Sequence, residues 1–215
     1  MRIVYFITHP EVTIDPGVPV PDWSLSPAGL QRMHRVLEQR WLSGVRSIFS
    51  SCEPKARDAA GILADHLRLS PVTINALGEN DRSATGYLPK ADFAAVADQF
   101  FARPGDSVRG WERAIDAQHR VRDAVDRAIA LAQCGGEIAI VSHGGVGALL
   151  LCHLKQVPIS RSEDQPGDGG GNLYCFDAEG RRLLSGWCRM EEYQSTEVHD
   201  FSGDPRVANR IRPVR

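Results

Sequence analysis

No run of apolar residues in this chain approaches the roughly 20 needed to cross a bilayer. Met1 to Ile7 is too short for the apolar core of a signal peptide and offers no small-residue cleavage site. These absences predict a cytoplasmic protein without membrane contact. Cysteine is scarce and odd in number, five in all, with no C-x-x-C pair, which argues against a disulfide framework and against a structural zinc. The thiols are expected to be free and buried. H-E-x-x-H and comparable ligand spacings are missing too, and His34, His66, His119, His153 and His199 stand isolated, so no metal or other cofactor is expected. An excess of one charge is also absent. Twenty-five basic against 27 acidic residues leave a formal net charge of -2, which gives no general attraction to nucleic acid. Any anion site must therefore be built locally. Neither Gly144-Gly145 nor Gly169-Gly170-Gly171 completes a G-x-G-x-x-G or P-loop pattern.

What is present is an ordinary globular composition, 42% hydrophobic and 24% charged over 215 residues, enough for one sizeable core. We expect a single α/β domain over residues 1-190, a cap segment at 78-103, and an irregular tail from 191 to 215. The β-branched and aromatic run Ile3 to Thr8 reads as a buried strand closed at His9-Pro10, because proline disfavours helix at the residue before it. Ser26-Pro27 supplies an N-cap with proline at the first helical position, and Leu30, Met33, Val36 and Leu37 follow at helical spacing. Val45 to Phe49 and Ile138 to Val141 are further apolar strands, each entering a helical pattern, and Pro71 to Ile74 is a third short one. Helices are expected over Lys90 to Phe101, Val108 to Leu131 and Val146 to Leu154, and a hairpin over Asn172 to Asp177 and Arg181 to Trp187. The alternation predicts a three-layer α/β/α sandwich around a mostly parallel, mixed sheet.

In open α/β sheets ligands collect beyond the carboxyl ends of the strands, where this reading places both His9 and His143. One histidine at a strand tip is a weak signal; two at equivalent tips suggest one site. The surrounding residues read Ile7-Thr8-His9-Pro10-Glu11, Leu25-Ser26-Pro27-Ala28-Gly29-Leu30-Gln31, Ser51-Cys52-Glu53-Pro54-Lys55-Ala56, Leu77-Gly78-Glu79, Gly105-Asp106-Ser107 with Arg120-Val121, and Val141-Ser142-His143-Gly144-Gly145. In type and order these elements resemble those of the histidine phosphatase (phosphoglycerate mutase-like) superfamily, of which the chain looks like a divergent member. That resemblance implies a phosphomonoester hydrolase that acts through a phosphohistidine intermediate on His9. It places His143 and Lys55 on the phosphoryl oxygens, aided by the N–H groups of Gly144 and Gly145, and makes Glu79 the proton donor, which requires a raised carboxyl pKa. The chain departs from the family pattern at Thr8 and Lys55, which stand where arginines are usual, and at Pro10, which replaces a glycine. Threonine offers one hydroxyl in place of a charged fork, and lysine a point charge. The alternative is therefore a catalytically weak phosphate-ester-binding or regulatory protein of the same fold. The partner implied is a small phosphomonoester or phosphate anion, with no nucleic acid; a homodimer stays open.

Overall fold

The structure, a computed structural model, describes residues 1–194; the remainder of the expected tail lies outside the described residues. Six strands, β1 (Ile3–Thr8), β2 (Val45–Ser50), β3 (Val72–Thr73), β4 (Glu137–Ser142), β5 (Asn172–Asp177) and β6 (Leu183–Arg189), form one sheet in the order β3-β2-β4-β1-β5-β6. β1 to β4 run parallel, and β5 and β6 add an antiparallel hairpin at one side. Five helices, α1 (Pro27–Val36), α2 (Pro54–Leu67), α3 (Lys90–Ala102), α4 (Ala114–Leu131) and α5 (Gly144–Lys155), complete the three-layer α/β/α sandwich.

The two-residue period of β1 sorts the layers. Val4 and Phe6 face one apolar cluster with residues of α3, α4 and α5, whereas Tyr5 and Ile7 face a second cluster with Met33 and Val36 of α1 and Ala59, Ala60 and Leu63 of α2. Because the central strands are covered on both sides, they read as continuous apolar runs. Each fully buried side chain of the size of Phe6 contributes about 1.5–3 kcal/mol. Among the described residues, no helix is long and apolar enough to cross a membrane.

The local signals for α1 hold: Ser26 is its N-cap, and its Oγ accepts from Gly29 N at 3.0 Å. One helix begins later than the pattern suggests. Residues 108–110 form a separate turn in which Arg109 and Gly110 have positive φ, 50° and 82°, a conformation that no right-handed helix accommodates. Glu112 N then donates to Asp81 O at 2.9 Å, so α4 starts only at Ala114. The cysteines are free as expected, but only Cys152 and Cys175 are buried, while Cys52 and Cys134 are exposed.

Strand order places the chemistry. β4 lies directly between β2 and β1, and its end is joined to both neighbours: His9 N donates to Ser142 O at 3.0 Å and Ser51 N to Val141 O at 3.1 Å. The tips of three parallel strands thus present His9, Ser51 and His143 at one edge.

Candidate active site

His9 and His143 meet with ring centres 5.1 Å apart and ring planes at 69°. The Nδ1 of His9 lies 2.8 Å from the carbonyl oxygen of Pro10. A carbonyl only accepts, so Nδ1 carries the hydrogen and Nε2 is left with its lone pair. Burial, the neighbouring His143 and the charge of Lys55 push the His9 pKa down to about 3, against the opposing effect of the Pro10 bond. The ring is therefore neutral at pH 7.

His143 is fully buried. Its Nε2 lies 2.7 Å from Ser51 Oγ and 3.2 Å from Glu53 Oε1. The carboxylate can only accept, which favours hydrogen on Nε2 and leaves Nδ1 as a bare acceptor. Among the described residues, Nδ1 is one of the buried polar atoms without a partner, as is Nδ2 of Asn80. Burial, with added pressure from Lys55, Arg82 and Arg120, lowers the His143 pKa to about 3 despite the nearby Glu79.

Helix α5 begins immediately after His143, so its free N–H groups open onto the site. Glu79 takes two of them: Oε2 accepts from Gly145 N and Oε1 from Val146 N, each at 3.0 Å, and Oε1 also accepts from Asn80 N at 3.1 Å. The N–H of Gly144 has no such partner among the described residues. Burial raises the Glu79 pKa, but the Arg82 guanidinium and the backbone donors outweigh it and bring the carboxyl down to about 2. This corrects the expected raised pKa. At neutral pH Glu79 is an ionised helix cap, and an acceptor rather than a proton donor.

Two further expected phosphate contacts are already engaged. The Lys55 ammonium donates to Val20 O at 2.8 Å and Pro21 O at 3.2 Å, and pairs with Glu53 Oε2 at 2.6 Å. Those three acceptors match its three N–H groups. Lys55 thus straps the loop before α1 onto α2. Thr8 has no exposed surface; its hydroxyl lies 2.7 Å from Gln165 Oε1 and accepts from Asn172 N at 3.0 Å. Its single hydrogen is used inside the fold.

Other residues at the site stand within or beside the sequence motifs without a role assigned to them there. Glu53 joins His143, Lys55 and the backbone N of Glu79, the last at 2.9 Å. Arg120 grips the turn that presents Glu79, donating to the carbonyls of Ala76 and Gly78 at 2.9 Å and pairing with Glu112 at 2.7 Å. Beside the histidines, a cavity of about 710 Å³ is lined by Pro19, Cys52, Glu53, Glu79, Asn80 and Arg82 among others. Neither His9 nor His143 lines this cavity; Glu53, which does, lies 3.2 Å from His143. The Arg82 guanidinium rests 5.1 Å from the Phe93 ring centre and 5.7 Å from that of Trp111. Long side chains from loops and from α4 make these contacts across the fold, and no local spacing rule reports them. Among the described residues, no group of three or more His, Cys, Asp or Glu is arranged to hold a metal ion.

The sequence model of one family, described as histidine phosphatase superfamily (branch 1), matches residues 4–184. No curated protein matches the chain by sequence. Among solved structures, the chain is similar to a mycobacterial glucosyl-3-phosphoglycerate phosphatase in complex with inorganic phosphate, with a TM-score of 0.71 and 20% identity, covering 90% of this chain and 100% of that one. It is also similar to YhfR of Bacillus stearothermophilus, with a TM-score of 0.70 and 21% identity over 86% of this chain and 95% of that one. A putative α-ribazole-5′-P phosphatase from Escherichia coli gives 0.67 and 16% over 86% and 95%. At such identities the likeness shows the fold.

Proposed function

The chain belongs to the histidine phosphatase superfamily (branch 1), and from that premise we propose that it hydrolyses small phosphomonoesters through a phosphohistidine formed on Nε2 of His9. The observation that carries this reading is the 2.8 Å approach of His9 Nδ1 to the Pro10 carbonyl, which keeps the nucleophilic lone pair on the opposite nitrogen. In the first step that pair attacks phosphorus, the ester P–O bond breaks and the alkoxide leaves with the bonding electrons, taking a proton from solvent to become the alcohol. Water then attacks phosphorus, the P–N bond breaks, and inorganic phosphate departs as His9 recovers its lone pair.

Charge on the non-bridging oxygens needs donors aimed at them. Gly144 N–H at the start of α5 is one. His143, with its hydrogen held on Nε2, offers no second donor; its Nδ1 accepts from a protonated phosphate oxygen. With Lys55 committed to Glu53 and two carbonyls, the site has little free positive charge. With Glu79 ionised, no carboxylic acid stands ready for the leaving group. Both features favour esters whose alcohol leaves unaided, and both support the alternative of a slow, phosphate-binding protein. The named phosphatases among the structural neighbours support hydrolysis over that alternative. The test is phosphate release from a panel running from nitrophenyl phosphate to alkyl and sugar phosphates. We expect turnover that falls steeply as the leaving alcohol becomes less acidic. Binding of phosphate without turnover on any ester would move the assignment to the binding protein.

A further inference from the structure

Gln165 stands in the loop leading into β5 and touches both histidine-bearing turns. Its Oε1 accepts from Thr8 Oγ1 at 2.7 Å and from Asn172 Nδ2 at 3.1 Å. The atom identities follow from chemistry. The same Asn172 atom also lies 3.2 Å from the Pro166 carbonyl and 3.4 Å from that of Gly170; carbonyls only accept, so it must be the NH2 group. The Gln165 atom facing it is then the oxygen, and Nε2 is turned the other way. That way leads to the start of α5, where a Cβ on Gly144 would sit 2.3 Å from Gln165 Nε2. Thr8 precedes His9 and Gly144 follows His143, so an oriented amide nitrogen stands between the two strand tips. No acceptor among the described residues takes its hydrogens.

The glycine run explains how the loop reaches this place. Gly169, Gly170 and Gly171 all have positive φ, 79°, 60° and 66°, which glycine adopts without strain. Gly171 N donates to His9 O at 3.0 Å. A Cβ at Gly170 would fall 2.2 Å from that same carbonyl. On the outer side, Arg32 donates to the carbonyls of Gly170 and Gly171, each at 2.8 Å, and pairs with Glu191 at 2.8 Å. The loop is therefore seated on the backbone of His9 and held there.

We propose that Gln165 is an oxyanion-binding residue in the place of the arginine that this chain lacks at position 8. Its Nε2 and the Gly144 N–H together donate to the non-bridging oxygens of the phosphoryl group, while Thr8, unable to reach that group itself, aims the amide. This rests on the phosphatase reading. It extends that reading to a residue far from the motifs that carry it, and to a neutral donor where the family resemblance calls for a guanidinium.

The test compares wild type, Gln165→Glu and Gln165→Leu by calorimetric binding of inorganic phosphate and of orthovanadate, with a thermal melt of each. Gln165→Glu keeps an oxygen for Thr8 and Asn172, so its melting temperature should stay close to wild type. It loses the donor and gains a negative charge, so oxyanion affinity at pH 8 should fall roughly tenfold or more, the usual scale for a hydrogen bond to a charged group. The deficit should shrink toward pH 5, as the introduced carboxyl gains a proton and can donate again; a purely structural role for Gln165 would produce no such recovery. Gln165→Leu should lose affinity without the pH dependence. Binding within about twofold of wild type by either variant at pH 8 would overturn the proposal. A wild-type protein that binds neither oxyanion would instead overturn the phosphatase reading on which it rests.

Discussion

The turns after β4 and β1 both end in a buried or half-buried histidine, but they are supported in opposite ways. After β4, His143 runs straight into α5, and the helix that presents the site's backbone donors is the next residues of the chain. After β1, His9 runs into Pro10 and an irregular loop, and its support comes from residues 165–172, more than 150 positions away, through Gln165, Gly170, Gly171 and Asn172. The helix after the first turn is supplied by the next residues of the chain; the loop that seats the second is borrowed. Two of the three departures from the family pattern, Thr8 and Pro10, fall on the borrowed side, where a remote loop can take over an arginine's position; the third, Lys55, is on α2.

The largest effect should separate the two histidines themselves. His9→Ala should leave no turnover above background, since no other group is placed to carry the phosphoryl, whereas His143→Ala, which removes one hydrogen-bond contact to the phosphoryl group, should cost about ten- to a hundredfold in rate. Steady-state kinetics on nitrophenyl phosphate reads both, and equal losses would erase the distinction between the nucleophile and its neighbour. Next in size is the remote support. Gly170→Ala meets both a positive φ and the His9 carbonyl, whereas Gly167→Ala, with φ 73° and open space around it, meets only the first. The control should cost about 1–2 kcal/mol, and Gly170→Ala about 1–3 kcal/mol more. Denaturant unfolding that ranks them equally would show that the loop does not brace His9.

Thr8→Arg tests the borrowed side from the other direction. Thr8 is enclosed by Gln165 and Asn172, so the longer side chain should overpack the site, cost about 1–3 kcal/mol and leave vanadate affinity no better than wild type. A gain in affinity at unchanged melting temperature would mean that the pocket still accommodates an arginine. The smallest expected effect is on pH dependence. The folded-state pKa of His143, about 3, lies below the ordinary 6.5, so its contribution to stability is intact above pH 6.5 and drains away as pH falls toward 3. Glu79, held near 2 against an ordinary 4.5, loses its contribution only below 4.5. Melting temperature should therefore drop from pH 7 to 5 and more steeply beneath 4.5. His143→Asn should make the first segment of that curve shallower, the remaining slope coming from His9, whose pKa is also about 3, and Glu79→Gln should do the same for the second.

The same contrast decides what the sequence discloses. The strand ending at Thr8, the Ser26 cap and the strand-to-helix turn at His143 depend on neighbours within a few residues, and composition and spacing report them directly. The role of Lys55 does not. Its position in the motif suggests a free cation, but the carbonyls of Val20 and Pro21 that occupy it lie more than thirty residues upstream. Glu79 misleads in the same way: an acid in an anionic pocket should have a raised pKa, yet here it caps α5, an arrangement visible only once β4 and the Leu77–Glu79 turn are side by side. Gln165 sits beyond any motif, and its orientation follows from two carbonyl contacts of a third residue.

The most direct measurement of the central claim is to stop the reaction with acid-sparing base during turnover of a labelled ester and locate the phosphoryl group by peptide mapping and phosphorus NMR. The account predicts base-stable, acid-labile phosphate on His9, bonded to Nε2, because Nδ1 is tied to the Pro10 carbonyl. Phosphate on Nδ1, on another residue, or on no residue while turnover proceeds would contradict it.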